Sequence, residues 1–181
     1  MARGAILDAS HDSKVPKSAR TTHELAVLRG HGDGSFALPT FVSMPVEAYP
    51  TGLDVGDLDG DGHVDAVVRD SDGVAVFHGA GDGTLSLFGY LPADRGSGQV
   101  VISDLTADGV PDLVVTGLYS EIFTVYDGVG DGSLVERSTL ASPGGPWNVK
   151  AADLNHDGRP DHIMSVNHPD AGIAVSWAIC D

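Results

Sequence analysis

The stretch DLDGDGHVD, residues 57–65, sets Asp57, Asp59, Asp61 and Asp65 around two glycines. Four carboxylates this close repel one another unless something compensates. Three chemistries use such a set: acid–base catalysis by paired carboxylates, coordination of a hard cation, or plain solvation of a polar turn. Calcium takes several oxygen ligands at about 2.3–2.6 Å. A short loop supplies them when positions 1, 3 and 5 converge, a glycine at position 6 permits the sharp turn, and position 7 offers its carbonyl. On that reading the loop presents Asp57, Asp59, Asp61, the His63 carbonyl and, at position 9, Asp65.

The pattern recurs. DLTADGVPD (104–112) offers Asp104, Thr106, Asp108, the Val110 carbonyl and Asp112. DLNHDGRPD (153–161) offers Asp153, Asn155, Asp157, the Arg159 carbonyl and Asp161. Position 6 is Gly62, Gly109 and Gly158. Three copies with oxygen donors at the same four positions argue for cation binding over solvated turns, with about three Ca²⁺ ions as the expected complement. The ten loop aspartates explain much of the net charge of −16, which three ions would bring to about −10. The first loop, with four carboxylates, should bind best; the second, with the Thr106 hydroxyl at position 3, should bind least well. An EF-hand is excluded because its position-12 glutamate is replaced by Val68, Val115 and Met164. Near-equivalent copies built to keep carboxylates ionised follow ligand logic, so no catalytic residue is assigned and a non-enzyme is expected.

The elements that must hold these loops follow from a second motif. GHGDGSF (30–36), GAGDGTL (79–85) and GVGDGSL (128–134) recur at a spacing of 49, and the acidic loops recur at 47 and 49. Between them lie short Val-, Ile- and Phe-rich runs bounded by Gly and Asp, such as VDAVVRD (64–70) and VAVFHG (74–79), with no long helical periodicity. Four strands per 45–50 residues, repeated, describe a propeller blade. The expectation is one all-β domain over 1–181, a β-propeller of four-stranded blades with about three and a half to four repeats of ~49 residues. The repeats run approximately 1–45 (degenerate), 46–93, 94–142 and 143–181, and DASHDSKVP (8–16) reads as a decayed acidic loop.

Asp-x-Asp-x-Asp-Gly-x-x-Asp between short strands, followed after some twenty residues by Gly-x-Gly-Asp-Gly, resembles the FG-GAP/VCBS repeat of integrin-α-like propellers and of many bacterial surface and secreted proteins. The resemblance implies calcium loops, a binding or adhesion role, and usually seven blades. This chain has fewer, so it implies either a small closed ring or a partial propeller completed by further sequence or by self-association.

Composition narrows the remaining classes. The acidic balance disfavours nucleic acid as a partner. No apolar run is long enough for a membrane span. A single cysteine, Cys180, allows no intrachain disulfide, and MARGAILDASHDSKVPKSAR contains no signal-peptide core. Of the eight histidines, His63, His78, His156, His162 and His168 show no zinc spacing and read as surface residues. Trp147, Trp177, Tyr49, Tyr90 and Tyr119 could line a sugar-binding surface or pack between blades. Because calcium is abundant outside cells, an extracellular or cell-surface module that binds a protein or glycan ligand is expected. The alternative is a carbohydrate-active propeller, a lectin or polysaccharide lyase, or an accessory part of a larger secreted enzyme.

Overall fold

The computed structural model describes residues 23–45, 49–94, 96, 98–142 and 144–167, and the backbone of 172–176. The expected decayed loop at 8–16, together with His168, Trp177 and Cys180, lies outside the described residues. No described residue is helical.

Thirteen strands form four antiparallel sheets among the described residues. The first pairs β1 (Glu24–Val27) with β2 (Thr40–Ser43), and a Gly30–Phe36 bridge extends the pair toward the glycine turn. The second runs in order through β3 (Gly52–Gly56), β4 (Asp65–Arg69), β5 (Gly73–Gly79) and β6 (Leu85–Pro92). The third repeats this with β7 (Val100–Ser103), β8 (Asp112–Gly117), β9 (Ile122–Gly128) and β10 (Leu134–Ala141). The fourth comprises β11 (Gly145–Ala152), β12 (Asp161–Asn167) and β13 (Gly172–Ser176). Each sheet is thus one contiguous stretch of chain folded as a meander.

The sheets stack face to face in chain order, which decides what each strand must look like. Strands β4 and β8 are covered on both faces and read as unbroken buried runs, DAVVR and DLVVTG, without polar alternation. Outer strands β6 and β10 are half exposed and mix polar with apolar residues. Successive side chains leave a strand on opposite faces. Ala66, Val68, Ala75 and Phe77 accordingly pack with Met44, Leu25 and Val42 of the first sheet. Val67, Val74 and Val76 pack the other way, against Val100, Leu113, Val115 and Tyr126. Val101, Val114, Phe123 and Val125 then meet Val149 and Met164 of the fourth sheet. Strands β3, β7 and β11 lie side by side at one edge of the stack. Two four-stranded meanders stacked between a two-stranded and a three-stranded sheet, with β3, β7 and β11 adjacent, pack among the described residues as propeller blades do.

Polar links cross the same interfaces. Asp54 Oδ2 accepts the Ile102 amide at 2.8 Å, and the Tyr126 hydroxyl donates to the Pro92 carbonyl at 2.7 Å. Arg69 is fully buried, and its guanidinium donates to the carbonyls of Asp70, Gly73 and Asp94. It therefore ties the β4–β5 turn to the connection leading into the next sheet.

Candidate metal centre

Antiparallel order places every acidic loop at one end of the stack, together with the glycine turns, while the β4–β5 and β8–β9 turns lie at the other. Each loop joins the first two strands of its sheet: 57–65 between β3 and β4, 104–112 between β7 and β8, 153–161 between β11 and β12.

The position-1 aspartate organises each loop by accepting backbone amides. Asp57 Oδ1 takes the Gly60 amide at 2.8 Å and Oδ2 the Gly62 amide at 2.9 Å. Asp104 takes the Asp108 and Gly109 amides at 3.2 and 2.9 Å. Asp153 takes those of His156, Asp157 and Gly158 at 2.7, 3.2 and 3.0 Å. Position 5 accepts the position-7 amide in all three: Asp61 from His63, Asp108 from Val110, Asp157 from Arg159, at 2.7, 2.8 and 2.9 Å. Position 3 differs. Asp59 and Asn155 accept the position-5 amide at 3.1 and 2.9 Å, whereas the Thr106 hydroxyl lies 3.5 Å from Asp104 Oδ1. Gly62, Gly109 and Gly158 all adopt φ between 85° and 87°, the left-handed turn expected of position 6.

One carboxylate oxygen each from Asp57, Asp59 and Asp61 lies within 4.8 Å of the others. Oxygens around one ion at about 2.3–2.6 Å can stand up to roughly 5 Å apart, so this triad fits a single hard divalent cation. The donors available at positions 1, 3 and 5 are oxygens in every loop, with Thr106 and Asn155 replacing Asp59. Thus the acidic clusters could hold a metal ion, and the loop backbones are fixed around them by their own side chains.

Position 9 is a different kind of residue. Asp65, Asp112 and Asp161 are each 1% exposed. Asp65 Oδ2 accepts the Leu58 amide at 2.8 Å, and its Oδ1 accepts the Gly79 amide at 2.9 Å. Asp112 does the same with Leu105 and Gly128, at 2.8 and 2.9 Å, and Asp161 accepts the Leu154 amide at 2.9 Å. Burial pushes the Asp112 carboxyl above its ordinary pKa, against the lowering by these two amides. The position-9 carboxylate therefore clamps the acidic loop to the glycine turn of the same sheet. Glycine is required there for space: a Cβ at Gly79 would stand 2.0 Å from the Val64 carbonyl oxygen, and one at Gly128 would stand 2.1 Å from that of Pro111. The two repeating motifs are one structural unit.

The glycine turns close on themselves similarly. Asp33, Asp82 and Asp131 accept from both amide and hydroxyl of Ser35, Thr84 and Ser133, and these bonds, the hydroxyl first, hold each carboxyl below its ordinary pKa.

His78 was not a ligand candidate by spacing, yet one of its nitrogens joins Asp59 and Asp65 in a second group within 4.8 Å. Its Nδ1 stands 3.7 Å from Asp59 Oδ2, and its ring stacks on Phe88 with centroids 3.9 Å apart. The available signal was its place immediately before Gly79, which the clamp draws onto the loop. His162, expected at the surface, is buried beside Asp161, because its side chain leaves β12 toward the third sheet.

The FG-GAP-like repeat family matches the chain three times, over residues 18–68, 57–115 and 104–164. A comparison with curated proteins found no match. The second and third matches begin on Asp57 and Asp104, the position-1 aspartates just described. With most of its length covered and every acidic loop included, the chain belongs to the FG-GAP-like repeat family.

Proposed function

We propose that this chain is a calcium-binding propeller module that works by binding, as an adhesion or scaffolding unit outside the cell, and not by catalysis. The observation that carries the reading is the threefold recurrence of one loop backbone, with the carboxylates at positions 1 and 5 accepting loop amides in every copy and those of Asp57, Asp59 and Asp61 converging on one centre. A bound Ca²⁺ would offset the repulsion among carboxylates and stiffen the loop. Asp57, Asp59 and Asp61 would hold it in the first loop, with Asp104, Thr106 and Asp108, then Asp153, Asn155 and Asp157, in the others. The carbonyls of His63, Val110 and Arg159 would complete the sets, and the buried Asp65, Asp112 and Asp161 would close them from below. A loop that binds modestly suits extracellular calcium, which is present at millimolar levels. The partner on this reading is a protein or glycan, and a second copy of the chain would extend the stack of blades.

Calorimetric titration of the chelator-treated chain with CaCl₂ tests the proposal. Up to three binding events are expected, the first loop tightest and the second weakest, with a rise in melting temperature as the sites fill. Absence of both heat and thermal shift at about 10 mM calcium, roughly tenfold above the weakest dissociation constants of extracellular modules, would refute it. Sedimentation in calcium reads self-association directly.

A further inference from the structure

We infer that the end of the stack opposite the acidic loops carries a binding subsite for a neutral sugar ring, with Trp147 as its stacking surface. The inference deepens the binding-module reading and rests on it.

The first strands β3, β7 and β11 all begin at that end. Thr51, Gly98 and Trp147 are equivalent positions at the spacings of 47 and 49, and all three line one cavity of about 250 Å³ together with Gln99 and Leu118. A second hollow of about 360 Å³ lies between Trp147 and Ser165, Val166 and Asn167 of β12. Pockets for drug-sized ligands run from about 300 to 1,000 Å³, so the two hollows suit single rings flanking one plate.

Trp147 is not packed as a core residue would be: it is 60% exposed. A bulge between Pro146 and Asn148 takes it out of the β11–β12 ladder, the device by which strands re-aim a side chain. Gly98 adds no side chain to the cavity wall, and its backbone lies so close to β8 that a Cβ would meet the Thr116 carbonyl oxygen at 1.8 Å. Gln99 is fixed in the wall, its Nε2 donating to the Thr51 carbonyl at 3.0 Å. The other candidate aromatics are placed differently: the Tyr90 hydroxyl is bound to Asp70, and Tyr49 stands edge-on to His23.

The chemistry of the lining selects the ligand. Trp147 offers an aromatic face, Ser165 a hydroxyl, and Gln99 and Asn167 amides that can both donate and accept, while the Thr51 hydroxyl donates to the Gly98 carbonyl at 3.0 Å and shapes the wall. Among the described residues, none that lines either hollow is charged, in a chain of net charge −16. These described residues offer an anion no cation and a cation no carboxylate. A pyranose matches, with C–H edges for the indole and hydroxyls for the amides.

The test is calorimetry on the full chain in calcium, against glucose, galactose, mannose, N-acetylglucosamine, their short oligomers, and an oligogalacturonate. At least one neutral saccharide is expected to bind. Its affinity should fall at least tenfold in Trp147→Ala and severalfold in Gln99→Ala, with the calcium-induced thermal shift unchanged in both variants. The inference is overturned if no neutral saccharide binds, if Trp147→Ala binds as the parent does, or if the uronate binds as well as the best neutral sugar. Calcium response without sugar binding removes this inference alone; sugar binding through Trp147 without calcium response removes the calcium reading alone.

Discussion

Replacing Asp65 with Asn separates the two roles that a position-9 carboxylate can play. The substitution is isosteric, so no cavity forms, but one acceptor oxygen becomes an NH₂ donor. In the native chain both oxygens are occupied at 2.8 and 2.9 Å by the Leu58 and Gly79 amides, in a site 1% exposed. Whichever way the Asn amide turns, one buried backbone N–H then faces another donor. A hydrogen bond to a charged group contributes about 1.5–3 kcal/mol, and the second bond, now neutral, weakens by about 1 kcal/mol. Relief of repulsion from Asp57, Asp59 and Asp61 returns about 0.5–1 kcal/mol. The net loss is about 2–3 kcal/mol, which for a chain of this length lowers the melting temperature by about 4–12 °C. The decisive condition is excess EDTA. Thermal unfolding followed by circular dichroism should show this loss with no metal in solution, and a further loss in calcium. Asp61→Asn, at an exposed position with one amide contact, should cost under about 1 kcal/mol in EDTA and show its deficit only in calcium. If Asp65→Asn melts with the parent in EDTA, the clamp has no energetic content and position 9 is a ligand only.

Position 4 of the loops adopts left-handed φ in all three copies: Gly60 at 75°, Ala107 at 58° and His156 at 62°. Side chains pay about 1–2 kcal/mol there, so Ala107→Gly and His156→Gly should each stabilise the chain by about 1 kcal/mol in denaturant unfolding. Gly79→Ala should fail to fold or lose most of its stability, because its Cβ would meet backbone and not a movable side chain; a soluble, calcium-responsive Gly79→Ala would count against the loop–turn unit. Asp33, Asp82 and Asp131 have folded pKa values below their unfolded ones, so the stability they confer is complete above pH ~4 and is lost as pH falls through the folded values. Carboxyl NMR titration should show the Asp82 pKa rising toward the ordinary value in Thr84→Ala, where the backbone amide bond remains, and an Asp82 titrating as in the parent would refute the hydroxyl as the main cause.

The sheets were legible because burial on both faces writes a strand plainly. DAVVR and DLVVTG have no other stable reading between acidic and polar turns, and their observed bounds lie within a residue of the runs picked out by composition. The acidic loops were legible for a similar reason, since oxygen donors at fixed offsets around a required glycine are a local property. The clamp was not. It joins Asp65 to Gly79 across 14 residues but Asp112 to Gly128 across 16, because the β8–β9 turn takes Leu118–Glu121 where the Asp70 amide bonds the Gly73 carbonyl and leaves only Ser71 and Asp72 to turn. The two-residue difference accounts for the acidic loops repeating at 47 where the glycine turns repeat at 49. The mismatch between two periods was visible; its meaning, a turn of variable length between two motifs held in contact, needed the hydrogen bonds. His162 escaped for a simpler cause, since its side follows from which face of β12 meets the third sheet.

The distribution of charge also bears on where a ligand can sit. Most of the carboxylates of the acidic loops and glycine turns accept backbone amides, so they neutralise local dipoles before they meet solvent. This explains how a chain of net charge −16 can gather so many aspartates at one end of a sheet stack. It also makes that end a poor surface for a large polar ligand, because its acceptors are already engaged in holding turns together. The opposite end has the reverse character. There Thr51, Gln99, Ser165 and Asn167 surround an exposed indole, and the first strands bring equivalent positions of three sheets to one place without bringing charge. Repetition that produces three similar acidic loops at one end produces Thr, Gly and Trp at the other. A propeller needs its loops alike to hold its blades, and it gains a ligand site where equivalent positions differ.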